Sequence, residues 1–312
     1  MKYLSLIRGL DWRYYSLLCG AALFPVLLAL LLSGLVPARQ LSPFAAAVTP
    51  LEPVPVLAAE DLESLFDNAG YHWPPGGHVP PLAVRHFPHD IAALAVPRKK
   101  ALFFRALLPL VVAENQRVRA ERQWLETVAR NGGPAGEFER QRLQRLLQEY
   151  ALQEDGAIDA TLLAKLQRRI DTLPPGLVLA QAANESGWGT SRFSREANNL
   201  FGEWTYSAEE GLLPLQRREG ANHYVRRFDS LLQSVRSYLN NLNTHRAYRE
   251  LRGLRAKLRE RGEEPDALTL AGGLHRYSAR GGDYVAEIRA LIRSNGLNDL
   301  GPLRLARLTT VD

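Results

Sequence analysis

A mainly α-helical body with one small β element, carried behind an N-terminal membrane helix, is the fold class the sequence predicts. Three observations lead there. Apolar residues recur at helical spacing through most of the chain after Pro97, strand-like patterning is confined to residues 200–228, and the run from Tyr14 to Pro37 carries no charge. With 312 residues, 46% hydrophobic and 23% charged, the chain can bury a sizeable core, which excludes wholesale disorder, collagen-like repeats and a disulfide scaffold. Cys19 is the single cysteine, so an intramolecular disulfide, a Cys-rich zinc site and a CxxC redox centre are all excluded. The histidines are scattered without an HExxH pattern, so neither a metal site nor a cofactor is predicted. A net charge of +6 favours an acidic partner: nucleic acid, anionic lipid or an anionic wall polymer.

Residues 1–13 hold Lys2, Arg8 and Arg13, and 14–37 form the apolar run, long enough for the roughly 20 residues that a bilayer-spanning helix needs. After Arg39 the only charges before Arg85 are acidic, which orients the N-terminus to the cytoplasm and places the body outside it. A cleaved signal peptide, cut near Val36-Pro37-Ala38, is the alternative, but its apolar region usually runs only about 7 to 15 residues. Residues 38–96 concentrate proline, including Pro74-Pro75-Gly76-Gly77 and Pro80-Pro81, and read as a stem broken by one short helix near 61–69.

Residues 97–170 form a helical region expected to pack on the body that follows, because its first helix has a broad apolar face. That helix starts at Pro97, is expected to kink at Pro109 and stops at Asn131-Gly132-Gly133. Others are predicted near 137–154 and 159–170. Arg117, Arg119 and Arg122 read as a solvated face, because no aromatic residues interleave with them as nucleic-acid stacking would require. No nucleic-acid partner is predicted. In the body, 171–296, a helix occupies about 174–186, and Asp229 and Ser230 cap another that shows Leu231, Val235, Leu239 and Leu242 on one face. Asp283 opens the last helix and Gly296 stops it; 297–312 reads as a tail.

The chemistry gathers where the helix LVLAQAANE ends on Glu185, followed by Ser186-Gly187-Trp188-Gly189. Its apolar faces bury it, and two glycines suit a left-handed stop with close substrate approach. At a helix C-terminus the macrodipole is partially negative, and apolar surroundings disfavour ionisation, so both favour a protonated acid. Glu185 is therefore a candidate general acid for glycosidic oxygen, with Trp188 as an apolar wall for a sugar ring. By pattern alone the same residues also describe an ordinary carboxylate ahead of a glycine helix stop.

The stretch AQAANESGWGTSRFSREANNLFGEW resembles the signature of the glucosaminidases of glycoside hydrolase family 73. YVRRFDSLLQSVRSYLNNL is similar to that family's hairpin strand and following helix, and YSARGGDYVAEIRALI to its closing tyrosine stretch. The likeness covers about 170–296. QRREG and the RKKALFFRALLPLVVAEN helix make it nearest to the proteobacterial Bax-type branch. The resemblance implies a lysozyme-like fold and cleavage of the β-1,4 bond after N-acetylglucosamine in peptidoglycan glycan strands. A single-pass inner-membrane protein with its C-terminal body in the periplasm follows. It implies Glu185 as catalytic acid, Glu219 as second carboxylate with Glu203 and Asp229 as rivals, and Trp188, Asn199, Phe201, Tyr277 and Tyr284 as substrate-binding residues. Where most members read Asn-Asn-Leu-Phe-Gly-Ile-Lys, this chain departs at Glu203-Trp204.

Two carboxylates about 6.5 to 9.5 Å apart imply inversion, about 5 to 5.5 Å a covalent intermediate, and the substrate's own N-acetyl group offers a third route. The competing functions are a lytic transglycosylase and a non-catalytic, membrane-tethered wall-binding protein.

Overall fold

The computed structural model describes residues 48–55, 58–153, 158–214 and 223–306; the predicted anchor at 14–37 and the candidate Glu219 lie outside them. Among the described residues no helix is long and apolar enough to cross a membrane. Residues 47–312 cluster as one unit.

Helix α2 (Val96–Arg130) organises that unit. Pro97 stands in its first turn, where a missing N–H costs nothing, and the helix continues through Pro109. Leu102 through Val112 are all buried, Arg105 being the one charged residue among them, so this segment lies inside the core rather than on it. It packs against α5 (Pro175–Ser186) and α7 (Leu231–Thr244). Its C-terminal part leaves that core and meets α3 (Glu137–Glu149) and α4 (Ala160–Arg169) in a smaller one around Val118, Leu125, Leu147 and Leu166.

The predicted proline-rich stem is corrected over 48–96. Val54, Leu62, Phe66, Val79, Val84, Phe87 and Ile91 all belong to the main core. Strand β1 (Glu52–Val54) pairs in parallel with β3 (Leu82–Val84), α1 (Ala59–Asn68) packs on α2, and β2 (His78–Val79) pairs with β7 (Arg304–Leu305). Proline excludes long helices and central strands, but strands of two or three residues fit between prolines, and the apolar side chains there still bury. The predicted tail is likewise corrected over 297–305. Leu297 is buried, and its carbonyl oxygen lies where a Cβ on Gly176 would sit, 2.1 Å away, so only glycine lets α5 come this close.

Instead of one β element there are three small sheets among the described residues; the predicted stretch supplies the antiparallel one, ordered β4 (Trp204–Thr205), β6 (Tyr224–Arg226), β5 (Gly211–Leu212). Helices α6 (Arg192–Ala197), α8 (Arg249–Glu260) and α9 (Ala267–Ala271) are not anticipated from apolar spacing, whereas α10 (Gly282–Ser294) is. The fold is mainly helical with small sheets.

Ahead of α5, Asp171 ties α2 and α8 together. Burial alone would raise its carboxyl, but Arg255, Arg122 and Arg259 outweigh that and hold it below the ordinary range. Arg255 is buried and also donates to the carbonyls of Asp171 (3.1 Å) and Thr172 (3.3 Å).

Candidate active site

Helix α5 is buried on nearly every side from Gly176 to Ala183 and ends in a left-handed bend. Gly187, Trp188 and Gly189 have φ of 57°, 61° and 78°, a region costly for a bulky residue such as Trp188. Packing holds the tryptophan there. Its ring meets Phe103 and Phe104 edge-on at 5.7 and 5.3 Å, and the Lys100 ammonium sits 4.6 Å from its centre. Ser186 closes the bend, its Oγ donating to the Ala182 carbonyl (2.6 Å) and accepting from Gly189 N–H (2.9 Å). Trp188 is thus chiefly a wedge against α2, although it also lines a surface pocket with Asn184, Glu287 and Leu291.

Glu185 is half-buried one turn earlier. The Tyr284 hydroxyl of α10 donates to its Oε1 at 2.8 Å, and Asn184 Nδ2 donates to the same oxygen at 3.3 Å. Oε2 has no hydrogen-bond partner among the described residues. Behind Tyr284 the network continues inward: Gln181 Nε2 donates to the Tyr284 oxygen at 2.8 Å, and Gln181 Oε1 accepts from the Tyr238 hydroxyl. Burial, then the Glu185 charge, pushes the Tyr284 hydroxyl far above the ordinary phenol range, so it stays a donor.

Of the predicted residues, Tyr284, Tyr277 and Phe201 are linked to Glu185 in one chain of contacts. Tyr284 is 1% exposed, and its hydroxyl fixes Glu185 from behind. Tyr277 is half-buried, stacks on Tyr284 at 5.2 Å and donates to the Phe201 carbonyl at 2.9 Å. Phe201 is buried and stacks on Tyr238 at 3.8 Å. The Asn199 amide is fully engaged with backbone. Nδ2 donates to the carbonyls of Glu203 and Arg226, both at 2.8 Å, and Oδ1 accepts from Glu203 N–H at 3.0 Å.

Three contributors escape sequence reasoning. Gln181 is signalled only as the polar residue one turn before Glu185 in an otherwise apolar helix. Tyr238 reads as one more apolar-stripe residue of α7. Arg280, exposed, places its guanidinium 5.7 Å from the Tyr284 ring and pairs with Glu287, which puts a cation within electrostatic reach of Glu185. Among the described residues no cluster of histidine, cysteine and carboxylates could hold a metal.

The pattern described as glucosaminidase, mannosyl-glycoprotein endo-beta-N-acetylglucosaminidase, matches residues 160–297, and the chain belongs to this glucosaminidase family of glycoside hydrolases. It is 35% identical to Protein bax of Escherichia coli (strain K12) over 201 residues, covering 64% of this chain and 70% of that protein. Among solved structures it is similar to the catalytic domain of the autolysin Auto from Listeria monocytogenes, with 21% identity, 54% of this chain and 99% of that one covered, and a TM-score of 0.31.

Proposed function

We propose that the chain is a peptidoglycan hydrolase, an endo-β-N-acetylglucosaminidase that cleaves the β-1,4 bond after N-acetylglucosamine with Glu185 as general acid. The observation that carries this is the asymmetry of the Glu185 carboxyl. Tyr284 and Asn184 both hold Oε1, while Oε2 keeps its capacity to carry a proton to a glycosidic oxygen. As the bond between the anomeric carbon and the leaving oxygen breaks, that oxygen takes the proton. The rigid α5 end and the packed bend keep the donor in place while the charge develops. A lysozyme-like reading of the helical body fits this role. The uncharged 14–37 run would anchor the chain in the inner membrane and hold the body against the wall from the periplasmic side, where its net positive charge suits the carboxylates of wall peptides.

Glu185→Gln in the purified full-length chain, incubated with purified peptidoglycan, is expected to leave the fold unchanged and to lower turnover by about 100-fold or more. Mass spectrometry of wild-type products is expected to show N-acetylglucosamine reducing ends. Anhydro-muramic ends would identify a lytic transglycosylase instead, and wall binding without turnover a tether.

A further inference from the structure

Helices α5 and α10 pack on each other, and between them lies an open pocket of about 370 Å³ that the bond cleavage described above does not use. That volume falls in the range of about 300 to 1,000 Å³ typical of small-ligand sites. Ala183, Asn184 and Gly187 line it from one face of α5, whereas Glu185 leaves that helix about 100° round from Asn184. Pocket and carboxyl are neighbours on different faces, and Asn184 joins them. Its Nδ2 donates to Glu185 Oε1 at 3.3 Å, while its Oδ1 has no hydrogen-bond partner among the described residues and can accept from a ligand.

The lining argues against a sugar as occupant. A sugar ring packs on a free aromatic face and needs many polar partners, but the Lys100 ammonium stands 4.6 Å from the centre of the Trp188 ring, and Phe103 and Phe104 pack against the same ring. The α10 side of the pocket is mainly aliphatic, from Ala290 and Leu291. Charges of opposite sign border it. Lys100, held by Asn295 Oδ1 at 3.2 Å, sets a cation beside Trp188, and Glu287 brings a carboxylate whose Oε2 pairs with Arg280 while Oε1 has no partner among the described residues. A wall peptide carries the matching groups: alanine methyls, free carboxylates and the amino group of its diamino acid.

We propose that the pocket between α5 and α10 binds the peptide stem of a peptidoglycan strand whose glycan lies against Glu185. This rests on the function proposed above and names a second part of its substrate. The stem branches from the muramic acid next to the bond being cleaved, so a peptide seated beside Asn184 would hold the strand in register with the Glu185 carboxyl. Peptide-bearing strands would then be cleaved in preference to bare glycan.

Two measurements on the full-length chain test this. One is calorimetric titration with peptide stems released from peptidoglycan by an N-acetylmuramoyl-L-alanine amidase; the other compares kcat/KM on intact strands and on strands stripped of their peptides. Wild type is expected to bind the free stems with a Kd of about 1 mM and to favour intact strands about tenfold. Ala290 and Ser294 are exposed and line the pocket one turn apart on α10. Ala290→Trp fills the space between them and is expected to weaken stem binding about tenfold or more and to bring the ratio of the two rates towards one. Ser294→Trp is expected to do the same and decides the matter if A290W does not fold. A wild type that binds no stems or turns over both strands equally, or variants that bind and discriminate as wild type does, overturns the assignment. A wild type inactive on both strands overturns the proposed function instead, and the titration still decides whether the pocket takes a peptide.

Discussion

A Tyr284→Phe substitution removes one oxygen from the middle of the Gln181–Tyr284–Glu185 chain, and its consequences divide cleanly. Glu185 keeps only the longer contact from Asn184, so its carboxyl gains rotational freedom, while Gln181 keeps its bond from Tyr238 but loses the acceptor for Nε2. A buried donor left unpaired costs about 1 to 3 kcal/mol. The expected outcome is a melting temperature lower by about 2 to 10 °C together with, on the role proposed for Glu185, a kcat lower by about tenfold at unchanged KM, because Tyr284 is buried behind the Glu185 carboxyl. A rise in KM at constant kcat would restore the tyrosine to substrate binding. Glu185 itself was legible, since a charge at the end of a buried helix before a glycine bend is a local pattern. Its partner was not, because Tyr284 lies 99 residues away and its apolar spacing in α10 announces only packing. Asn199 has a related feature: an amide in a loop motif looks available until the backbone groups that occupy it are known.

At the scale of elements, the contact of α2 with α3 contains a carboxyl whose protonation sets its strength. Glu121 on α2 is 5% exposed and accepts from the Tyr150 hydroxyl at 2.8 Å, and it also pairs with Arg117. Burial, the largest influence, outweighs Arg117 and raises its carboxyl from 4.5 to about 7. Between those values the folded chain keeps a proton that the unfolded chain has lost, so stability falls as pH rises, and above about 7 the full penalty, on the order of 3 kcal/mol, is present. Glu121→Gln removes it, so the gain in melting temperature over wild type is expected to be absent near pH 4 and to grow towards pH 8, as scanning calorimetry would show. A difference independent of pH, or one shrinking as pH rises, would contradict this. The same elements mark the limits of pattern reading. The helices with regular apolar stripes, α2, α3, α4, α5, α7 and α10, could be placed from spacing. Helix α8 could not, because Arg252 and Arg255 are among the residues it buries, and a guanidinium that ends on backbone carbonyls and Asp171 reads in sequence as a solvated face.

For the whole molecule, the segment matching the glucosaminidase pattern begins at α4 and omits the helix that fills the centre. Residues 160–297 would retain α5, α7 and α10 but lose α2, whose Leu102, Phe103, Leu107, Leu108, Leu110 and Val111 are each at most 1% exposed. Burying one such side chain is worth about 1.5 to 3 kcal/mol, so the loss of this group alone exceeds about 9 kcal/mol, against a typical domain stability of about 5 to 15. The losses continue: Trp188 loses both phenylalanines that hold its left-handed backbone, Gly189 loses the Phe87 ring beside it, and the β2–β7 pair is absent altogether. Sequence could mark the family segment because its motifs are local, but it could not show that the proline-rich region closes the far side of the same core, since that depends on contacts between distant short strands. A fragment of 160–297 is therefore expected to melt without cooperativity, to bind a hydrophobic dye and to leave peptidoglycan intact, whereas the full chain shows a cooperative transition. A fragment that melts cooperatively and digests wall would instead establish that α2 and the strands before it are accessories to a site able to stand alone.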